Sequence, residues 1–98
     1  KARQGRESVL VMILERVPLG LRGELTRWLL EPKAGVFVGR VSALVRAKLW
    51  ERVCAQSRGG GCLMIHSTNN EQGYRIESCG NTSRLIEDFE GLSLVRFP

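Results

Sequence analysis

Val9-Leu10-Val11-Met12-Ile13-Leu14-Glu15-Arg16-Val17-Pro18 decides the fold. Six apolar residues in succession, with β-branched side chains at Val9, Val11 and Ile13, predict a strand whose two faces both want cover. The run is far shorter than the ~20 residues a membrane helix needs. Glu15 ends the strand and Arg16 follows it, so an acid and a base leave the sheet edge together. Pro18, with its fixed φ and missing N–H, suits the first turn of a helix.

Working outward, Leu21, Leu25, Trp28 and Leu29 recur at i, i+4, i+7 and i+8 and predict one apolar stripe on a first helix. Glu24, Arg27 and Glu31 fall on its wet side as ion-pair neighbours, and Pro32 and Gly35 end it. Val36-Phe37-Val38, between Gly35 and Gly39, reads as a short strand. Ser42 is the expected N-cap of a second helix reaching about Gln56, with Val45, Leu49 and Val53 on its apolar side and Trp50 and Cys54 widening it. Gly59-Gly60-Gly61 reads as a connector, because no Lys-Ser/Thr follows and the next element is a strand. Cys62 to Ile65 is again nearly continuous apolar sequence, Asn69 to Gly73 is a turn, and Tyr74 to Cys79 alternates as a half-exposed strand. Gly80 to Glu90 is loop-like, and Leu92 to Phe97 forms a last strand.

This order predicts a two-layer α+β domain with both helices on one face of a mainly antiparallel sheet. A single strand is expected between the helices. Two helices cover one sheet face, yet the strands at Val9 and Cys62 are apolar on both. A second copy related by a two-fold axis is the simplest cover, which predicts a homodimer.

The 98 residues fit one domain, 9–98, preceded by a flexible polar extension or remnant at 1–8 that is too short and polar for a signal peptide. The net charge is +5, and 12 of the 15 basic residues are arginine. A planar guanidinium fork matches phosphate geometry where a lysine offers a point charge, so an anionic partner is favoured over a neutral one. Cys54, Cys62 and Cys79 are odd in number and form no C-x-x-C pair. They read as reduced, mostly buried thiols of a cytoplasmic protein, with neither a zinc site nor a disulfide framework.

Glu15-Arg16-Val17-Pro18, Leu21-Arg22-Gly23, Trp28-Leu29-Leu30-Glu31 and Ala34-Gly35-Val36-Phe37-Val38-Gly39 occur in fixed order. Val41-Ser42-Ala43, Trp50-Glu51, Thr68-Asn69, Glu71-Gln72-Gly73 and Gly91-Leu92 follow. Together they resemble the CRISPR-associated adaptation protein family Cas two, in its type I-E branch, over nearly all of Val9 to Phe97. The resemblance implies a ferredoxin-like domain whose open sheet face is buried in a homodimer. It implies a scaffold between two dimers of the CRISPR integrase, Cas one, that binds double-stranded DNA. It also implies a magnesium-dependent endonuclease activity assigned to an acid at the end of the first strand, here Glu15. Arg22 matches a DNA-binding arginine at the start of the first helix and Arg84 one in the late loop. Gly20, Leu44 and Ser83 stand where relatives can carry further basic residues.

Read from its own chemistry, Glu15 has two roles open to it: an oxygen ligand for magnesium, or an ion-pair partner for Arg16 or Arg22. One carboxylate per chain is a thin active site, and no second acid, histidine base or nucleophile lies near it in sequence. Arg16 and Arg22 flank the turn into the first helix, where a phosphate is well placed. Arg46 and Lys48 on the second helix read equally as phosphate contacts or as solvated helix residues. His66 ends an apolar strand and reads as structural. Glu87-Asp88-Phe89-Glu90 lacks the order of a calcium loop and reads as a solvated turn or a contact for another protein. An RNA-recognition sheet needs exposed aromatic residues, and only Phe37 is on offer among these strands.

Overall fold

The computed structural model describes residues 7–68 and 73–82. Its elements are β1 (Glu7–Leu14), α1 (Leu19–Leu25), β2 (Leu30–Lys33), β3 (Val36–Ser42), α2 (Ala43–Gln56), β4 (Cys62–Ser67) and β5 (Tyr74–Cys79). The five strands form one antiparallel sheet in the order β2-β3-β1-β4-β5. Its first four strands and two helices are the ferredoxin-like arrangement, and β5 extends it by pairing along β4. The expected strand at Leu92 to Phe97, the acidic stretch at 87–90 and Arg84 lie outside the described residues, as do residues 69–72 of the expected turn.

Two expectations about the region between the helices are corrected. α1 stops at Leu25 instead of reaching Glu31, and a β2–β3 hairpin stands where one short strand was expected. The apolar stripe deceives because the chain keeps turning for one more step. Leu29 N–H still donates to Leu25 O at 2.8 Å, and Trp28 N–H to the same carbonyl at 3.0 Å. The Thr26 hydroxyl meanwhile donates to Arg22 O at 2.9 Å, satisfying a carbonyl the helix leaves open. Leu21, Leu25 and Leu29 are therefore all buried, while Trp28 remains half-exposed. Pro32 does not simply end a helix. It sits in the edge strand β2, at a register irregularity between Leu30 and Lys33 where its missing N–H breaks no regular ladder. Gly35 turns the hairpin at φ 84°, and an added Cβ there would lie 2.6 Å from Leu14 O.

α2 agrees with expectation to within a residue. The Ser42 hydroxyl accepts from Val45 N–H at 3.3 Å, and Leu49 and Val53 are buried on the sheet. The helix-covered face of the sheet supplies Leu10, Met12, Leu14, Phe37, Val41, Cys62 and Met64 to a core completed by Leu21, Leu25, Leu29, Leu49 and Val53.

The other face is also apolar. Ile13, Leu63 and Val11 form a separate cluster to which neither helix contributes. Register places Val36 beside Ile13, Val38 and Ile65 beside Val11, and Ile76 beside Ile65. Val9 and Ile76, at the margins, are 43 % and 38 % exposed.

The cysteine expectation is also corrected. Cys54 in the last turn of α2 and Cys79 at the end of β5 form a disulfide, with Cα atoms 5.9 Å apart. Their 25-residue separation gives no local signal, and only the packing of α2 against β5 brings them together. Cys62 keeps a free, buried thiol.

Candidate functional site

β1 and β4 run antiparallel with Leu14 opposite Cys62, which brings the residues after β1 against the glycines before β4. Glu15 N–H donates to Gly61 O at 2.9 Å, and Gly61 N–H returns a bond to Glu15 Oε1 at 3.1 Å. The pair acts as a clasp that fixes the direction of the Glu15 side chain. Of the two roles open to Glu15, pairing with Arg22 is thereby displaced, because Arg22 is held by Glu31 instead. Arg16 is exposed and lays its stem over Gly60, where an added Cβ would come 3.1 Å from Arg16 Cγ. It has no ion-pair partner among the described residues. Gly61 is equally confined, since a Cβ there would meet Asn81 O and the Thr82 backbone.

Arg22 lies in α1, and its guanidinium forks onto Glu31 of β2. Nε donates to Oε1 at 2.9 Å and Nη2 to Oε2 at 3.0 Å. Glu31 Oε2 also accepts from Gly35 N–H at 3.0 Å, and Gly35 O takes Leu14 N–H at 2.8 Å. A chain of bonds thus ties Arg22 to the same end of the sheet as Glu15. The Arg22 guanidinium and then the Gly35 amide hold the Glu31 carboxyl below the usual carboxylate range, against an opposing effect of desolvation. Arg22 is raised above its ordinary value chiefly by that same bond to Glu31. Its Nη1 edge carries no partner among the described residues, so a correctly oriented pair of N–H donors faces outward.

The other candidates go elsewhere. Arg46 Nη1 donates to the Ser8 hydroxyl at 3.1 Å, at the opposite end of β1 and on the order of 20 Å from Glu15 at the usual strand rise. Lys48 lines a groove of about 390 Å³ between α1 and α2, with Arg27, Trp28, Leu49, Glu51 and the Glu24–Arg52 bridge. The wet-side network of the first helix is thus redistributed: Glu24 pairs with Arg52 of α2 and Glu31 with Arg22. Arg84 is outside the described residues, but the chain reaches Thr82 against Gly61. Sequence reasoning missed the Glu31 clasp, whose signal was an acid just before Pro32 in a hairpin that had been read as helix.

Two buried groups are structural. Burial pushes the Cys62 thiol up; the Ser57 hydroxyl opposes this and the Glu15 carboxylate adds to it, so Cys62 is no thiolate nucleophile. His66 is buried on the helix side, with Nε2 3.5 Å from Glu77 Oε2 and away from the Glu15 end. Among the described residues no three His, Cys, Asp or Glu side chains gather as a metal site, and no helix is long and apolar enough to cross a membrane.

What this end of the sheet offers is two arginines of fixed bearing, Arg16 and Arg22, around one clasped carboxylate, with an open apolar face on the reverse of the domain. Residues 9–94 match the model of a family described as CRISPR-associated protein (Cas_Cas2CT1978).

Proposed function

Since the chain belongs to this CRISPR-associated family (Cas_Cas2CT1978), we propose that it is a spacer-acquisition protein of the type I-E Cas two kind. On this reading two copies pack their open sheet faces together, and the dimer spaces two dimers of the integrase Cas one. The duplex DNA to be inserted is held by its phosphates.

The observation that carries the reading is the placing of Arg16 and the forked Arg22 at one end of the sheet. Arg22 is pre-oriented by Glu31, so little side-chain freedom is lost when its outer edge meets a phosphate. Phosphate contacts of this kind position a duplex without reading its sequence. That suits a protein handling DNA of arbitrary sequence. The apolar face around Val11, Ile13, Leu63 and Ile65 supports the dimer, because a patch of this kind on a small domain marks an interaction surface.

An endonuclease role through Glu15 rests on the clasped carboxylate at the strand end. The described residues of one chain do not make a magnesium site around it, so the ion would need the Glu15 carboxylates of both copies. Bound there, magnesium would supply an activated water for phosphodiester hydrolysis.

The test is co-expression with the integrase, followed by binding of random-sequence duplex across a salt series. A stable complex is expected. Arg22→Glu should weaken duplex binding whatever the sequence, and Arg22→Ala should lower the salt slope by about one per lost contact. No complex, or a slope unmoved in both variants, overturns the reading.

A further inference from the structure

Arg58 is the only non-glycine residue among the described ones with a positive φ, at 54°. It follows the C-cap Ser57 and precedes Gly59 at φ 83°. Gly60 N–H donates back to Ser57 O at 2.9 Å, closing a four-residue turn whose two central residues are both left-handed. Such turns favour Gly, Asn or Asp, since a Cβ crowds the backbone there. An arginine costs free energy at this position that glycine would not. Nothing local repays it: Arg58 is exposed and makes no hydrogen bond or ion pair among the described residues.

The turn is nevertheless held in place. The Glu15–Gly61 clasp, the stem of Arg16 over Gly60 and the bridge from Gly60 to Asn81 fix its base. Continuing the β1–β4 register past Leu14 and Cys62 sets Arg16 opposite Gly60, two residues from Arg58. Two exposed guanidiniums therefore leave neighbouring chain segments at the same end of the sheet. A strained residue with no partner of its own, on a rigid turn, points to a role outside the fold.

We propose that Arg58 is a further DNA-phosphate contact, which with Arg16 forms a two-guanidinium clamp on the duplex backbone at the end of β1 and β4. The assignment rests on the duplex-binding reading above. Arg58 adds a contact that the family resemblance did not supply, and the turn gives it a fixed bearing instead of a flexible one. The stability of the fold and the affinity for DNA should respond to its replacement in opposite directions.

The experiment uses the complex assembled with the integrase and a labelled random-sequence duplex, titrated from low to physiological salt, with thermal melts of each variant. Arg58→Asn, whose side chain tolerates the left-handed well, should keep or raise the melting temperature. Duplex affinity should fall about tenfold for one lost charge-assisted contact, with a salt slope lower by about one. Arg58→Lys should retain most of the slope, and Arg58→Gly should match Arg58→Asn, which separates charge from turn geometry. A wild-type complex that binds duplex while Arg58→Asn and Arg58→Gly bind with unchanged affinity and slope overturns this assignment alone. A wild-type complex that binds no duplex overturns the broader reading and this one with it.

Discussion

Arg22 and Glu31, nine positions apart, meet in a forked contact with Nε 2.9 Å from Oε1 and Nη2 3.0 Å from Oε2. The contact joins α1 to β2 across the turn that sequence periodicity had read as continuous helix. Because Arg22 and the Gly35 amide lower the Glu31 carboxyl from its ordinary value, the stabilisation is present above the unfolded carboxylate pKa and is lost as pH falls through the lower folded one. Glu31→Gln should therefore be less stable than wild type at neutral pH, and the gap should close on acidification. Chemical denaturation of both proteins from pH 7 downward checks this; a gap that stays constant into acid would show the charge to be irrelevant. The same variant should bind duplex more tightly, since Arg22 is no longer neutralised by its neighbour.

How much of this was legible in the sequence depended on whether the signal was local. β1, α2 with its Ser42 cap, and β4 announced themselves because six apolar residues, a capping serine and a glycine break act within a few residues. The β2–β3 hairpin stayed hidden because Leu29 keeps helical spacing through a tightening turn, and because Pro32 reads as a helix stop when it also suits an irregular edge strand. The site divided in the same way. Glu15 and Arg16 were visible at a strand end, whereas the Gly61 clasp, the Glu31 fork and the separation of Arg46 from Glu15 are products of strand order. No pattern within a short window encodes those.

The open sheet face predicts the oligomeric state. Val11 lies between Val38 and Ile65, so a charge placed there would sit in the middle of the interface. Wild type should sediment at micromolar concentration with twice the 11.0 kDa chain mass, and Val11→Asp should sediment as a folded single chain. Near-native far-ultraviolet dichroism of the variant guards against simple unfolding. A wild type that sediments as a stable monomer would remove the sheet-to-sheet dimer.

The Cys54–Cys79 bond closes a loop of 25 residues between α2 and β5. A loop of that size restricts the unfolded chain by about 3 kcal/mol, a large share of the stability of so small a domain. Cys54→Ala, Cys79→Ala and the double variant should each lose a similar amount, because either single change already removes the bond. Wild type in reductant should fall toward the same value. Denaturation midpoints measured with and without reductant test it, and a wild type indifferent to reductant would show that the bond adds nothing.

Glu15 separates a scaffold from an enzyme. Its Oε1 accepts the Gly61 amide proton at 3.1 Å, a bond that the carbonyl oxygen of glutamine can also accept, so Glu15→Gln keeps the clasp while removing the charge. If the protein works by positioning DNA, that charge is dispensable and spacer integration by the assembled complex should persist. If it works by hydrolysis, the neutral amide is a much poorer ligand for magnesium, and metal-dependent cleavage should fall by orders of magnitude. We expect integration to survive. Integration and nuclease assays run side by side, with magnesium and with chelator, on wild type and on a Glu15→Gln protein of the same oligomeric state, decide between them. Integration lost from a correctly assembled variant would defeat the architectural reading, whereas chelator-sensitive wild-type cleavage abolished by the substitution would establish hydrolysis at Glu15.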